Sequence, residues 1–216
     1  MIRIVFILFL TCACLQPFEG QAQVNIITTI ANQDTIRGFG GDNAPAIDAK
    51  LNRPESLCVD KYNNIYIADA VNNRIRKINT STGIITTVAG CSDTIGFAGD
   101  SGLAINAKLN SPEGIFTDSI GDIYFTDAGN GRVRKVTIST GIITTVAGID
   151  SAGYNGDGIL AINAELNAPS GLCLDKSGNI YIADYQNQRV RKVDVASGII
   201  STVAGTGIIG YTGDNG

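Results

Sequence analysis

Residues 65–78 read Ile65-Tyr66-Ile67-Ala68-Asp69-Ala70-Val71-Asn72-Asn73-Arg74-Ile75-Arg76-Lys77-Ile78, and the same order returns at 123–136 and at 180–193. Each passage is an apolar run ending in Asp, a short polar turn, and a second run in which basic residues are interleaved with Ile or Val. Short β-branched and aromatic runs bounded by Asn, Asp and Gly are strand signals. In the first run Ile65 and Ile67 would point to one side of a sheet, Tyr66 and Ala68 to the other. A strand that is apolar on both sides needs cover on both.

The repetition extends well beyond these passages. Asp42–Gly90, Asp100–Gly148 and Asp157–Gly205 align over 49 positions without a gap, and the first two copies are identical at 28 of them. The copies are offset by 58 and then 57 residues, and the difference falls between Gly90 and Asp100, where a loop absorbs a change in length. In the first copy the β-prone segments are 56–60, 65–68, 74–78 and 84–89, separated by turn residues at 61–64, 72–73 and 81–83. Four such segments predict a four-stranded antiparallel meander, with a short helical turn at Ala104–Leu109 and its equivalents. Sheets stacked face to face about an axis cover both sides of every second strand. The fold class read from this is all-β, a β-propeller of four-stranded blades at about 42–90, 100–148 and 157–205.

Composition agrees with a globular all-β chain: 44% apolar, 17% charged, with 26 Gly against 5 Pro. The N-terminus reads as a secretory signal. Arg3 precedes an apolar stretch of 12 residues from Ile4 to Leu15, and Gly20-Gln21-Ala22 offers a small-residue cleavage site, giving a signal peptide over 1–22 and a propeller segment over 23–216. A lipoprotein signal at Cys14 is the alternative. The expected location is secreted, extracellular or cell-surface, with the periplasm as an alternative. No transmembrane segment is expected after signal cleavage.

The motifs Pro112-Glu-Gly114-Ile, Ile123-Tyr-Phe-Thr-Asp127 and Asn130-Gly-Arg132-Val-Arg134, and Gly178-Asn-Ile-Tyr-Ile-Ala-Asp184 with Asn187-Gln-Arg189-Val, resemble the NHL repeat. The longer unit, with its Gly-Asp loop and Ile-Ile-Thr-Thr-Val-Ala-Gly ending, resembles the NHL repeats of bacterial secreted proteins and of the teneurin propeller. The resemblance covers nearly everything from Ile26 onward. It implies a propeller of about six blades. The sequence departs from the family where a His often follows the Asn of Asn-x-Arg: Asn73, Gly131 and Gln188 stand there.

Residues 26–31, Ile-Ile-Thr-Thr-Ile-Ala, match 84–89, and so read as a closing fourth strand without its first three. Residues 206–216 begin a further repeat. Three full blades plus one strand make an incomplete ring. The expectation is truncation at the C-terminus, the alternative being association of chains through open propeller edges.

The sequence has no His, which excludes Ser/His/Asp and Cys/His nucleophilic sites and His-ligated zinc within it. Asp69, Asp127 and Asp184, followed by Arg74, Arg132 and Arg189, read as structural positions in which the carboxylate caps turn amides or pairs with the Arg. A Gly-aromatic-x-Gly-Asp loop places Phe39/Asp42, Phe97/Asp100, Tyr154/Asp157 and Tyr211/Asp214 at equivalent sites. These form a candidate ligand face for a glycan, a peptide or Ca²⁺. The competing reading has the aromatic plugging the groove between blades and the Asp capping a helical turn. No other cofactor is indicated. The Arg/Lys clusters on the third strands read as a solvated or salt-bridged face, and nucleic acid is not an expected partner at a net charge of −4. Cys58 and Cys173 share a position where the second copy has Phe116, and are expected as buried, free thiols.

The leading functional expectation is a rigid scaffold for protein or glycan ligands, without catalytic activity. One alternative is a lactonase- or lyase-like propeller enzyme with its active residues in blades outside this sequence. The other is a spacer module of a larger surface protein.

Overall fold

The computed structural model describes residues 27–32, 37–91 and 95–210. Its strands are β1 (Ala44–Pro45), β2 (Pro54–Val59), β3 (Ile65–Asp69), β4 (Arg74–Asn79), β5 (Ile84–Ala89), β6 (Pro112–Thr117), β7 (Ile123–Asp127), β8 (Arg132–Thr137), β9 (Ile142–Ala147), β10 (Ile159–Leu160), β11 (Pro169–Leu174), β12 (Ile180–Asp184), β13 (Arg189–Val193) and β14 (Ile199–Ala204). They form three antiparallel sheets, ordered β1-β5-β4-β3-β2, β6-β7-β8-β9 and β10-β14-β13-β12-β11. The four long strands of each sheet are the four segments legible in each repeat. A fifth, two-residue strand is added at the outer edge of the first and third sheets, and the second sheet has a single Leu103–Ile142 bridge there. No helix among the described residues is long and apolar enough to cross a membrane.

The alternation on β3 is realised. Tyr66 and Ala68, with Ile75 and Ala89, pack toward the second sheet, while Ile67, with Ile78 and Ile85, packs against Ala46, Ala49 and Leu51 of its own repeat. The segment Ala-x-x-Ala-x-Leu is thus a wedge. Ala104, Ala107 and Leu109 fill the space between the first and second sheets, and Ala161, Ala164 and Leu166 fill that between the second and third. Alanine fits because a sheet lies on either side at close range. The helical turn expected here is one 3₁₀ turn, Ala104–Asn106, that ends before Leu109.

The wedge also carries the hydrogen bonds between repeats. Gly90 N–H donates to Ala104 O at 3.0 Å, and Gly148 N–H to Ala161 O at 2.9 Å. Both glycines have positive φ, at 94° and 97°. A Cβ at Gly148 would be driven into the Gly131 carbonyl oxygen and the Arg132 backbone, and one at Gly90 into the Asn73 carbonyl. At Gly90 and Gly148 there is room for no side chain.

Ile26 lies outside the described residues, and 27–31 join no strand. Asn32, at φ 55°, donates its N–H to Ala46 O at 3.3 Å, as Gly90 does to Ala104. Ala31 packs on the Ala46/Ala49/Leu51 wedge, as Ala89 packs on the next one.

The far face of the third sheet is open. Ile75 and Val133 have no exposed surface, whereas their counterpart Val190 is 37% exposed and Val203 is 49% exposed. Cys58 is half-buried against the next repeat, while Cys173, expected to be buried like it, is exposed, with no following sheet over it among the described residues.

Candidate functional site

Asp69 ends β3 with no exposed surface. Its Oδ1 accepts the Asn52 N–H at 2.8 Å, and its Oδ2 accepts Asn72 Nδ2 at 2.8 Å. Asp127 does the same with Asn110 and Asn130, and Asp184 with Asn167 and Asn187. Burial pushes all three carboxyls above their ordinary range, against the pull of these donors and of an arginine.

That arginine is the second of the Arg-x-Arg pair, correcting the expectation that Arg74, Arg132 and Arg189 pair with the Asp. Arg76 reaches Asp69 at 3.5 Å, Arg134 reaches Asp127 at 3.1 Å and Arg191 reaches Asp184 at 3.4 Å. Both arginines lie on the same face of β4, Arg74 directly opposite Asp69 and Arg76 opposite Ile67. Arg76 is wholly buried and reaches diagonally to the carboxylate, while Arg74 Nη1 donates to Asn72 O at 2.7 Å. Of the two readings of the third-strand basic residues, a solvated or a salt-bridged face, Arg76, Arg134 and Arg191 follow the second: they are fully buried and ion-paired.

The Gly-aromatic-x-Gly-Asp loop closes over them. Arg76 Nη2 donates to Asp42 Oδ1 at 2.7 Å, and Thr87 Oγ1 donates to Asp42 Oδ2 at 2.7 Å. Asp100 and Asp157 hold Arg134 and Arg191 at 2.7 and 3.1 Å. Phe39 lies against both arginines of its repeat, with the Arg74 guanidinium 3.6 Å and that of Arg76 4.9 Å from the ring centroid. Phe97 and Tyr154 repeat this arrangement. The Asp therefore does not cap the following turn, which has no side-chain cap. It is the outer counterion of a buried cation, a role hidden from sequence because the partners are 34 positions apart. Tyr211 and Asp214 lie outside the described residues. Among the described residues no group of three or more His, Cys, Asp or Glu side chains is placed to hold a metal ion.

Apart from these groups, polar side chains also gather where the inner strands β2, β6 and β11 converge. An open cleft of about 340 Å³ is lined by Glu55, Ser56, Glu113, Gly114, Ser170 and Leu172, among others. The strands are close: a Cβ on Gly114 would lie 2.6 Å from Ser170 O. Glu113 is raised above the usual carboxylate range by burial and then by the charge of Glu55, against the pull of Arg53, which pairs with Glu55. Sequence reading passed over this cleft because its residues belong to three different repeats.

The chain matches the family described as the Teneurin NHL domain over residues 149–210, and that described as the NHL repeat over residues 51–78. It is 27% identical over 169 residues to NHL repeat-containing protein 2 of Gallus gallus, covering 74% of this chain and 23% of that protein. It is 37% identical over 103 residues to Teneurin-4 of Homo sapiens, covering 42% of this chain and 4% of that one. The chain carries repeats of the NHL type. Among solved structures, an auxiliary nutrient binding protein from Bacteroides ovatus is 26% identical with a TM-score of 0.56, covering 74% of this chain and 39% of that one. The NHL chain thus spans less than a quarter of either curated relative.

In this NHL chain, Asn73, Gly131 and Gln188, which stand where the family often has His, all adopt left-handed backbone with φ of 53°, 60° and 53°. They end the 3₁₀ turn between second and third strands. Backbone geometry is the common demand at that position.

Proposed function

We propose that this chain is part of a secreted or cell-surface NHL propeller that acts as a rigid scaffold and binds protein or glycan ligands at the axial cleft. The observation that carries this reading is where the repeat symmetry breaks. Asp69, Asp127 and Asp184, with Arg76, Arg134 and Arg191, are the same in all three repeats and are buried in the frame. The position after the proline that opens each inner strand instead holds Glu55, Glu113 and Ser170. Side chains that differ around an axis can discriminate a ligand, whereas identical ones serve the fold. Two carboxylates and a hydroxyl facing a cleft suit hydroxyl-bearing sugars or a cationic peptide side chain. A likeness to an auxiliary nutrient binding protein agrees with a capture role.

The test is a screen of the chain against immobilised glycans and peptides, followed by Glu55→Gln, Glu113→Gln and Ser170→Ala variants. Binding that falls in these variants while the fold holds supports the reading. Binding that survives all three places the ligand elsewhere.

A further inference from the structure

Each inner strand is irregular where it meets the axial cleft. The β2–β3 ladder shifts register between Pro54 and Ser56, β6–β7 between Pro112 and Ile115, and β11–β12 between Pro169 and Leu172. The cleft residues Glu55, Glu113 and Ser170 fall at these shifts, where an extra residue re-aims its side chain. The second-strand residue beside the shift is Ala68 in the first repeat, Ala183 in the third and Thr126 in the second. Thr126 has no exposed surface. Its Oγ1 accepts the Gly114 N–H at 2.8 Å and donates to Ser170 O at 3.2 Å. A hydroxyl has one proton to give, and this one goes to the inner strand of the following repeat. Gly114 permits the approach, since a Cβ there would meet Ser170 O at 2.6 Å and Gly171 Cα at 2.9 Å.

We propose that Thr126 is a positioning residue of the axial cleft, its hydroxyl fixing the spacing at which Glu113 and Ser170 meet a ligand. This role rests on the cleft being the binding site. The two groups that the hydroxyl joins lie next to those side chains. Gly114 N belongs to the peptide bond that leaves Glu113, and Ser170 O to the one that leaves Ser170. One buried oxygen that holds both peptide groups also holds the Cα atoms from which the two side chains extend. Ala68 and Ala183 carry no hydroxyl, so neither can make such a bridge. The cleft thus has a pinned side, formed by Glu113 and Ser170, and a side at Glu55 without that pin. A ligand held by Glu113 and Ser170 meets groups already in place, which lowers the entropy lost on binding.

The experiment compares Thr126→Ala, Thr126→Val and Thr126→Ser in the whole chain by NMR. Alanine is the residue of the other two repeats, so the fold accommodates it. Without any ligand, amide exchange at Gly114 is expected to speed about tenfold in the Ala and Val variants, the weight of one hydrogen bond, and to stay within about twofold of the parent in the Ser variant. Exchange that ignores all three substitutions overturns the proposal, whatever the cleft binds. Titration with N-acetyl-arginine amide, whose cationic side chain suits two carboxylates, then gives affinities from the Gly114 and Gly171 amide signals. Affinity is expected to fall about tenfold in the Ala and Val variants and to recover in the Ser variant. Unchanged affinity in Ala and Val, or an equal loss in Ser, makes Thr126 a structural residue only and overturns the proposal. A parent chain whose Gly114 and Gly171 signals do not move at millimolar probe overturns the cleft reading, and the positioning role with it, while the exchange comparison still decides the bridge.

Discussion

Arg76 and Asp42 are 34 positions apart in sequence and 2.7 Å apart in space, and the arginine has no exposed surface. The pair fastens the loop that opens a repeat to the third strand of the sheet it precedes. A second carboxylate, Asp69, lies on the other side of the guanidinium at 3.5 Å. The same cation between two anions recurs at Arg134 and Arg191, so each blade carries one internal rivet.

Arg134→Met is expected to destabilise the chain by about 3–5 kcal/mol, because Asp127 would stay buried without its cation. Asp100→Ala leaves Arg134 paired with Asp127 at 3.1 Å and is expected to cost less, about 1–2 kcal/mol. Urea unfolding of the two variants measures the difference. Equal losses would mean that the outer aspartate matters as much as the buried one.

Gly148→Ala is expected to cost far more than Gly141→Ala. Both glycines have left-handed backbone, at φ 97° and 70°, so each substitution carries a conformational penalty of about 1–2 kcal/mol. At Gly141 the new methyl would meet Leu103 Cδ2 at an ordinary 3.6 Å, but at Gly148 it would strike the Gly131 carbonyl. Thermal melts of the two variants, side by side, give the comparison.

Cys58, Cys91 and Cys173 should differ in reactivity despite two of them sharing a repeat position. Burial pushes the Cys58 thiol up to about 12, with the Asp60 charge adding and Thr117 opposing. Cys91 and Cys173 are exposed. Alkylation of the native chain near pH 8, read by mass spectrometry of peptides, is expected to mark Cys91 and Cys173 and spare Cys58 until the chain is unfolded. Fast labelling of Cys58 would show that the first two sheets are not packed together.

Asp60 offers a test by pH. Its burial raises the carboxyl, but hydrogen bonds from the Asn64 side chain and backbone, the Tyr62 N–H and the Tyr66 hydroxyl outweigh it and hold the group below the usual range. A depressed folded-state value means stability that is present above the unfolded value, about pH 4, and lost as pH falls through the folded one. Asp60→Asn is therefore expected to be less stable than the parent by about 1–2 kcal/mol at neutral pH. The gap should close on acidification, and a gap that persists at pH 2 would refute the assignment.

Strand order and blade boundaries were legible because they depend on neighbours in sequence. The run Ile65–Asp69 shows its two-sided burial in its composition, and the Asn and Gly turns show where it stops. The choice of Arg76 over Arg74 was not legible, since the two share one face of β4 and Arg74 is the direct cross-strand neighbour of Asp69, while the ion pair is made diagonally by Arg76. The Ala-x-x-Ala-x-Leu segment was visible as a turn, but its small side chains gain their meaning only between two sheets. The axial cleft could not be read at all, because Glu55, Glu113 and Ser170 meet only after three blades assemble.

The wedge has a consequence for how such a chain can change over time. Each one belongs in sequence to the sheet after it, yet seals the joint with the sheet before. Removing or inserting one whole 57- or 58-residue unit therefore presents the same small-residue plug to the same socket, with no new joint to invent. Blade number is free to drift by integer steps, while a partial unit leaves a plug without a socket, so recombination within a repeat is penalised and recombination between repeats is not.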